Sequence, residues 1–246
     1  MGNYTIHSET MIACKNQPAQ DVARKAMEQV ANAVRPGMTE LEVKLLAEEK
    51  MRELGAEGWW YHGVGALVLA GKDRSKLSVS GRDYRASETV VLGENDLISL
   101  DFSPLVNGCW GDYARTIYIE DGQAKLEPVA PEGDEFAEGY AMELRLHREL
   151  MDWVRPETTY EEVSFHMNGI LREAGFENMD FHGNLGHSIE NDPGDRIYLE
   201  AGNRKMLGEH GTPFTFEPHI AKVNGTWGFK REQIYVFDEN GRIRPL

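Results

Sequence analysis

The sequence contains little cysteine, no long apolar run and no basic leader. Its two cysteines, Cys14 and Cys109, lie far apart among 246 residues, so neither a disulfide framework nor a thiolate metal site is expected. The apolar runs are too short for a membrane-spanning helix, and the first residues lack the basic start and apolar stretch of a secretory signal. These absences predict a cytoplasmic protein that is not embedded in a membrane.

Basic side chains are also in short supply. The chain has 26 Lys and Arg residues against 41 Asp and Glu residues, which gives a net charge of −15. This charge repels phosphate backbones, and the basic residues are scattered, so no nucleic-acid partner is expected. What the chain does have is 41% hydrophobic residues and enough length to bury a full core without disulfide or metal staples.

The chain repeats itself after 120 residues. Residues 34–57 and 154–177 are identical at ten of 24 positions without a gap. A second repeated motif follows in the same order, because Val-Asn-Gly-x-Trp-Gly occurs at 106–111 and again at 223–228. The alternative is two unrelated helix starts and two ordinary Asn-Gly hairpins. Two repeated motifs in the same order favour an internal duplication.

Each copy is predicted to begin with two helices and to continue with strands. Thr39 and Thr159 are each followed three residues later by a glutamate, which is the spacing of a capping box. Amphipathic stretches at about 18–34 and 134–154 supply the preceding helices. Strand-like runs, with Asn-Gly turns between partners, are expected at 64–69, 97–102, 113–119, 213–220 and 233–237. The fold class is therefore α+β, with two ααββ halves related by a pseudo-twofold axis and a seam near 127–133.

Four acidic residues occupy comparable places in the two copies. Asp101 ends one apolar strand and Asp112 opens the returning strand, while Glu217 and Glu232 hold the matching places in the second copy. A buried carboxylate loses several kcal/mol of solvation or takes up a proton unless a cation compensates it. The alternative is four solvated acids near turns, the usual fate of any one acid in so acidic a chain. Because the four acids occupy matched positions in the two copies, we favour a bound cation over four solvated acids.

His187 adds an imidazole to this set, directly after Gly186, where the backbone can approach closely. An oxygen-rich site with one imidazole suits Mn, Fe, Co or Zn, and five ligands that include bridging carboxylates suit two ions. The sequence therefore predicts two divalent metal ions, held by Asp101, Asp112, His187, Glu217 and Glu232.

The motifs around these residues resemble those of the methionine aminopeptidase, prolidase and creatinase family. The likeness covers roughly residues 18–240, and its specific parts are Leu100-Asp101-Phe102, residues 111–116, Gly186-His187, Phe216-Glu217-Pro218 and Lys230-Arg231-Glu232. The resemblance implies the pita-bread fold in a single catalytic domain over residues 1–246, with internal halves of about 18–126 and 134–240. It also implies that Asp101 holds one metal, that His187 and Glu217 hold the other, and that Asp112 and Glu232 bridge them.

The same resemblance implies a metallohydrolase that cleaves a peptide or amide bond, like an aminopeptidase or an Xaa-Pro dipeptidase. In such an enzyme a metal-bridging hydroxide is the nucleophile, manganese is one of the usual ions, and Glu217 would carry the proton to the leaving amine. The expected substrate is a small peptide or a small-molecule amide. A homodimer is implied by the family alone.

Two histidines of the family's substrate pocket are missing from this chain. Residues 79–83 stand where one is expected before the first metal aspartate, and Pro193 follows His187 without the other in between. We consider His182 as a catalytic substitute and His219 and His62 as substrate-binding residues. For each of the three, a surface or hydrogen-bonded structural role is the alternative.

Other residues near the motifs allow two interpretations. Trp59, Trp60, Tyr61 and Tyr84 could line a pocket, but aromatic clusters are more typical of a core, and we do not count them as site residues. Lys230 stands where creatinase-like members often have arginine, and it either tunes Glu232 or forms a surface ion pair. The altered pocket also leaves open a non-peptide substrate, or a binding relative without catalysis, although the complete ligand set argues against the latter.

Overall fold

The computed structural model describes residues 7–180, 182–210 and 213–246, with side chains from residue 15 onward except that of residue 210. The helices are α1 (His7–Ala33), α2 (Glu40–Glu53), α3 (Gly71–Arg74), α4 (Asp134–Trp153), α5 (Tyr160–Glu173) and α6 (Leu207–His210). The strands are β1 (Gly58–Trp59), β2 (Ala66–Ala70), β3 (Asp96–Phe102), β4 (Pro104–Val106), β5 (Cys109–Trp110), β6 (Tyr113–Glu120), β7 (Gln123–Lys125), β8 (Phe176–Asn178), β9 (Phe214–Phe216), β10 (His219–Lys222), β11 (Gly228–Lys230), β12 (Gln233–Phe237) and β13 (Ile243–Pro245).

The two capping boxes form as the sequence predicts. Thr39 caps α2 and Thr159 caps α5, and in each the threonine hydroxyl accepts from the glutamate N–H three residues on, at 3.2 Å. The same glutamate returns a hydrogen bond to the backbone N–H of the threonine at 2.8 Å. Equal geometry in both copies supports the internal duplication.

Helix α1 is longer than the sequence predicts. It begins at His7 rather than near Pro18, so that Pro18 lies inside the helix. A proline removes only one helical hydrogen bond, and tertiary contacts on either side of it compensate. Asn16 donates to the carbonyl of Trp110, and Gln20 donates to the carbonyl of Asp112. These long-range hydrogen bonds stabilise the helical turn around Pro18, where the local sequence pattern predicts that the helix begins.

Each predicted long hairpin is divided into two ladders. In the first half, β3 pairs with β6, while β4 and β5 form a short separate ladder closed by Asn107-Gly108, whose φ angles of 52° and 70° suit a type I′ turn. In the second half, β9 pairs with β12 and β10 pairs with β11. The single strand predicted over 213–220 is therefore wrong, because Pro218 cannot donate a ladder hydrogen bond and separates β9 from β10.

The apolar core follows the two halves. One cluster contains buried residues between Val22 and Ile119, and the other contains residues between Phe136 and Ile243 together with two side chains of the first half. The predicted seam lies between β7 and α4, where Glu127 forms ion pairs with Arg115 of the first half and Arg231 of the second. No helix in the described ranges is long and apolar enough to cross a membrane.

Candidate metal centre

The four predicted acids lie beside interruptions of the strand ladders. Asp101 is the penultimate residue of β3, and Asp112 lies between β5 and β6. Glu217 lies between β9 and β10, and Glu232 lies between β11 and β12. The breaks occur at equivalent points of the two halves, and the two acids of each half come together in one cluster.

The side chains of all five predicted ligands converge there. Ligand atoms of Asp112, His187 and Glu232 lie within 4.8 Å of one another, and so do those of Asp101, Glu217 and Glu232. Glu232 belongs to both groups. Asp112, His187 and Glu232 are buried, whereas Asp101 and Glu217 are half-buried and line an open cavity.

The imidazole of His187 presents a lone pair to two carboxylates. Its Nδ1 lies 3.0 Å from the carbonyl oxygen of Ser188, which can only accept, so Nδ1 carries the hydrogen. Its Nε2 then faces Asp112 Oδ2 at 3.4 Å and Glu217 Oε1 at 3.8 Å. Burial, together with the charge of Arg196, lowers the pKa of His187 to about 3, so the ring is neutral and forms no salt bridge. A neutral acceptor aimed at two other acceptors is the geometry of a metal ligand.

The two innermost carboxylates have no compensating partner. Asp112 Oδ2 and both carboxylate oxygens of Glu232 are buried without a hydrogen bond within the described part of the chain. Burial and the neighbouring carboxylates raise the pKa of both groups well above the usual range. Orphaned buried oxygens of this kind are costly unless a cation occupies the space between them. The residues present therefore fit divalent metal ions at this place.

Lys230 supplies a positive charge on the cavity side of the same cluster. Its Nζ lies 2.6 Å from Asp101 Oδ2 and 3.1 Å from Glu217 Oε2. Burial acts to lower the pKa of this ammonium, but the charges of Asp101, Glu217 and Glu232 outweigh it and raise the pKa well above its ordinary value. Of the two interpretations of Lys230, the surface ion pair is wrong, because its partners are two of the predicted ligands.

Contacts with distant residues hold the backbone of Asp112 and Glu232, the two acids predicted to bridge the metals. The side-chain amide of Gln20 donates to the Asp112 carbonyl and accepts from the Asp112 N–H, both at 2.9 Å. The N–H of Glu232 donates to the carbonyl of Ala114 at 2.9 Å, and Arg115 donates to the carbonyl of Glu232 at 2.5 Å. Sequence patterns did not reveal Gln20, because nothing local connects α1 with a residue 92 positions later.

His187, the predicted metal-ligand histidine, is bonded to Thr215 of β9 and lies close to three aromatic rings. Thr215 accepts from the His187 N–H through its hydroxyl at 3.1 Å and donates its own N–H to the His187 carbonyl at 2.7 Å. The rings of Trp60, Trp110 and Tyr198 each lie about 6 Å from the imidazole centroid, at 6.0, 5.9 and 5.9 Å. Of these rings, Trp60 and Tyr198 also line the cavity beside the imidazole.

A cavity of about 540 Å³ opens in front of the metal centre. Trp60 and Tyr61 line it, whereas Trp59 packs against the first core and the buried hydroxyl of Tyr84 bonds the backbone of Val68. Of the four aromatic residues that were not counted as site residues, Trp60 and Tyr61 therefore line the cavity, and Trp59 and Tyr84 do not.

The three remaining candidate histidines all line this cavity. His219 is buried, and its Nε2 lies 2.6 Å from the carbonyl of Ser75, which fixes the hydrogen on Nε2. Burial and the charge of Lys230 lower the pKa of His219 to about 4. His62 and His182 are exposed at the rim, and the backbone N–H of His182 donates to Asp180.

Both segments that lack a family histidine bring an arginine to the cavity. Arg82 belongs to the segment before Asp101, and Arg196 belongs to the segment after His187. The Arg196 guanidinium lies 5.0 Å from the Trp60 ring centroid and 5.5 Å from that of Tyr198. Its Nε donates to the carbonyl of Pro193 at 2.7 Å, and no carboxylate of the described residues pairs with it. The motifs alone did not indicate Arg196 as a site residue.

Comparison with known proteins agrees with this centre. The probable dipeptidase PepE of Mycobacterium tuberculosis is 29% identical over 209 residues, which are 85% of this chain and 50% of the relative. The methionine aminopeptidase of Helicobacter pylori strain J99 is 26% identical over 216 residues, 84% of this chain and 78% of the relative. The chain thus spans half the length of the dipeptidase that it matches.

Solved structures share the fold. The X-Pro aminopeptidase of Thermotoga maritima superposes with a TM-score of 0.77 at 24% identity, over 96% of this chain and 60% of that one. The methionine aminopeptidase of the same organism gives a TM-score of 0.75 at 16% identity, over 96% of both chains. The expected pita-bread fold is therefore confirmed. The sequence model of metallopeptidase family M24 matches residues 15–239, and this chain belongs to that family.

Proposed function

We propose that the protein is a metal-dependent hydrolase of peptide or small amide bonds, acting at the centre between the two halves as one catalytic domain. The observation that carries this proposal is the set of buried, unpaired oxygens of Asp112 and Glu232 beside the neutral acceptor of His187. The family membership supports the same chemistry. We further propose two divalent ions, for which Asp101, Asp112, His187, Glu217 and Glu232 would be the ligands.

The protein's own residues suit amide hydrolysis. When bound, the ions supply Lewis-acid polarisation of an amide carbonyl and the acidification of water. Glu217 lines the cavity and is half-buried, and the family resemblance implies that it moves the proton. It would accept the proton from the attacking water and deliver it to the leaving amine. His182, at the rim, is proposed as a second proton carrier, and His219 and His62 as substrate contacts.

The cavity favours a substrate that carries a carboxylate. The cavity lining is acidic at the predicted metal ligands, but it also contains Arg196 and Arg82. His62 lies on the same lining, and burial and the charges of both arginines lower its pKa. A guanidinium packed on aromatic rings and without an acidic partner is a ready site for a carboxylate. We therefore propose dipeptides, or N-acyl amino acids as the non-peptide alternative, with the free acid on the leaving side.

A substrate panel with controlled metal loading tests this function. Chelated protein would be reloaded with Mn, Fe, Co or Zn and offered dipeptides, Met- and Xaa-Pro peptides and N-acyl amino acids, with the bound metal counted in each sample. Turnover is expected only with metal, and Asp112→Asn should reduce it to background. The matched control is Asp121→Asn, in an exposed turn. If no member of the panel is hydrolysed under any metal, the proposal is wrong.

The low cysteine count supports action in a reducing compartment such as the cytoplasm. A homodimer is a proposal carried by the family resemblance alone.

A further inference from the structure

The acids of the metal centre divide into two groups by what already balances their charge. Asp101 and Glu217 share the ammonium of Lys230, at 2.6 Å and 3.1 Å. Asp112 and Glu232 share no such partner, since three of their four carboxylate oxygens are buried and unpaired within the described residues. One group is therefore compensated by the protein itself, and the other is compensated only by a bound cation.

The ammonium is delivered to its place by a fixed backbone. Lys230 closes β11, where it pairs with His219, and its N–H donates to the hydroxyl of Thr116 at 2.9 Å. The Thr116 hydroxyl also lies 3.1 Å from the Lys230 carbonyl. These bonds anchor the backbone of Lys230, and the flexible stem of the side chain carries the ammonium from there to Asp101.

We propose that Lys230 makes the two metal positions unequal. The position formed by Asp112, His187 and Glu232 retains an ion tightly. The position that depends on Asp101 binds its ion more weakly, because the Lys230 ammonium already holds one oxygen of Asp101 and repels a second cation placed beside it. The inference rests on the metal centre of the proposed function, but it does not depend on which bond is hydrolysed.

The chemistry of the donors agrees with this order of filling. The tight position offers an imidazole and two carboxylates without partners, which suits a transition-metal ion. The weak position depends on Asp101, one oxygen of which already holds the ammonium, so an ion gains less there than it would beside an unpaired carboxylate. Lysine suits such a role better than arginine, because its ammonium is a compact charge on a flexible stem.

Titration of metal-free protein with Mn²⁺, followed by calorimetry and by counting bound metal, tests the inference without any assay of turnover. In the wild-type protein one ion per chain is expected to bind at least 30-fold more tightly than the second. In Lys230→Met the second ion should bind at least 10-fold more tightly than in the wild type. Lys230→Arg should keep the wild-type inequality. The matched control is Lys222→Met, which removes an exposed lysine of the neighbouring strand β10.

The opposite results are equally clear. Two ions that bind the wild type with equal constants, or a second constant that Lys230→Met leaves unchanged within threefold, would overturn the inference. Should Lys230→Met fail to fold, Lys230→Gln, which keeps a polar side chain without the charge, decides the point. Its second ion should bind at least 10-fold more tightly than that of the wild type, and an unchanged second constant would contradict the inference. Because none of these readouts is catalytic, a failed substrate panel and a failed inference are told apart.

Discussion

The side chain of Gln20 makes two hydrogen bonds with the backbone of Asp112, one to its N–H and one to its carbonyl, each 2.9 Å long. Both residues are buried, and 92 positions separate them. The amide of Gln20 thus satisfies both backbone groups of a predicted metal ligand where no ladder partner does. The first helix of the chain thereby holds in place a carboxylate of the metal centre.

Replacement of Gln20 by alanine should weaken both folding and metal binding. It leaves the N–H and carbonyl of Asp112 buried without partners, which costs about 2–4 kcal/mol of unfolding free energy. Loss of this support should also weaken Mn²⁺ binding by about 10-fold. Denaturant unfolding and calorimetry measure the two effects. Gln17→Ala, which removes only a bond to Asp21 on the same helix, is the control and should change neither.

Arg196→Gln should remove the preference for a free carboxylate. For each hydrolysed dipeptide, the wild type is expected to show kcat/KM at least about 10-fold above that for the matching dipeptide amide, because one charged hydrogen-bonded pair contributes about 1.5–3 kcal/mol. The variant should cleave acid and amide alike. Arg204→Gln, at an exposed ion pair with Glu161, is the control. An unchanged preference in Arg196→Gln would show that Arg196 does not bind the carboxylate.

The buried acid Glu143 predicts a dependence of stability on pH that is separate from the metal centre. Glu143 accepts from Tyr118, and burial raises its pKa from 4.5 to about 7 despite that bond. Between these values the folded chain binds more protons than the unfolded chain. The carboxyl therefore destabilises the fold progressively as pH rises through this window, and its effect levels off only when the pH is well above the folded-state pKa.

Glu143→Gln removes this titration. The difference in unfolding free energy between variant and wild type should rise by about 2–3 kcal/mol from pH 5 to pH 8, measured by urea unfolding in chelator. Any fixed cost of the amide cancels in that comparison. Glu138→Gln, exposed on the same helix, should show no such change. Equal differences at the two pH values would contradict the raised pKa of Glu143.

Gly186→Ala should disrupt the metal centre. Gly186 has φ +143°, and a Cβ there would lie 2.2 Å from the carbonyl oxygen of Thr215, whose strand holds His187. We expect a loss of more than about 3 kcal/mol in unfolding free energy and at least about 10-fold weaker Mn²⁺ binding. Gly169→Ala, in α5 with open space around it, should instead stabilise the chain by about 0.5–1 kcal/mol. An intact, metal-binding Gly186→Ala variant would contradict this account.

Local patterns in the sequence predicted the parts of the fold that local physics controls. The capping boxes at Thr39 and Thr159 form because both partners lie within one turn, and the Asn107-Gly108 turn forms because those residues tolerate positive φ. The repeat placed the four acids at equivalent positions of the two halves, and the family resemblance implied that their side chains converge.

Contacts between distant segments account for what the sequence did not predict. The extension of α1 beyond Pro18 depends on bonds to residues more than 90 positions away. Arg196 meets Trp60 only because the two halves face each other. The direction of the Lys230 side chain follows from the ladder break at Glu232, which periodicity does not encode. The roles of the five ligands stay predictions until metal is counted.

The ladder breaks have a further consequence for the order in which the molecule folds. Each half can form its capped helices and short hairpins from contacts within the half, but the acids of the first half meet those of the second only after the two halves dock. That docking closes the longest loops and brings like charges together, so it is expected late. An ion bound there stabilises contacts that the transition state lacks. Bound metal should accordingly slow the unfolding of the native chain far more than it speeds folding.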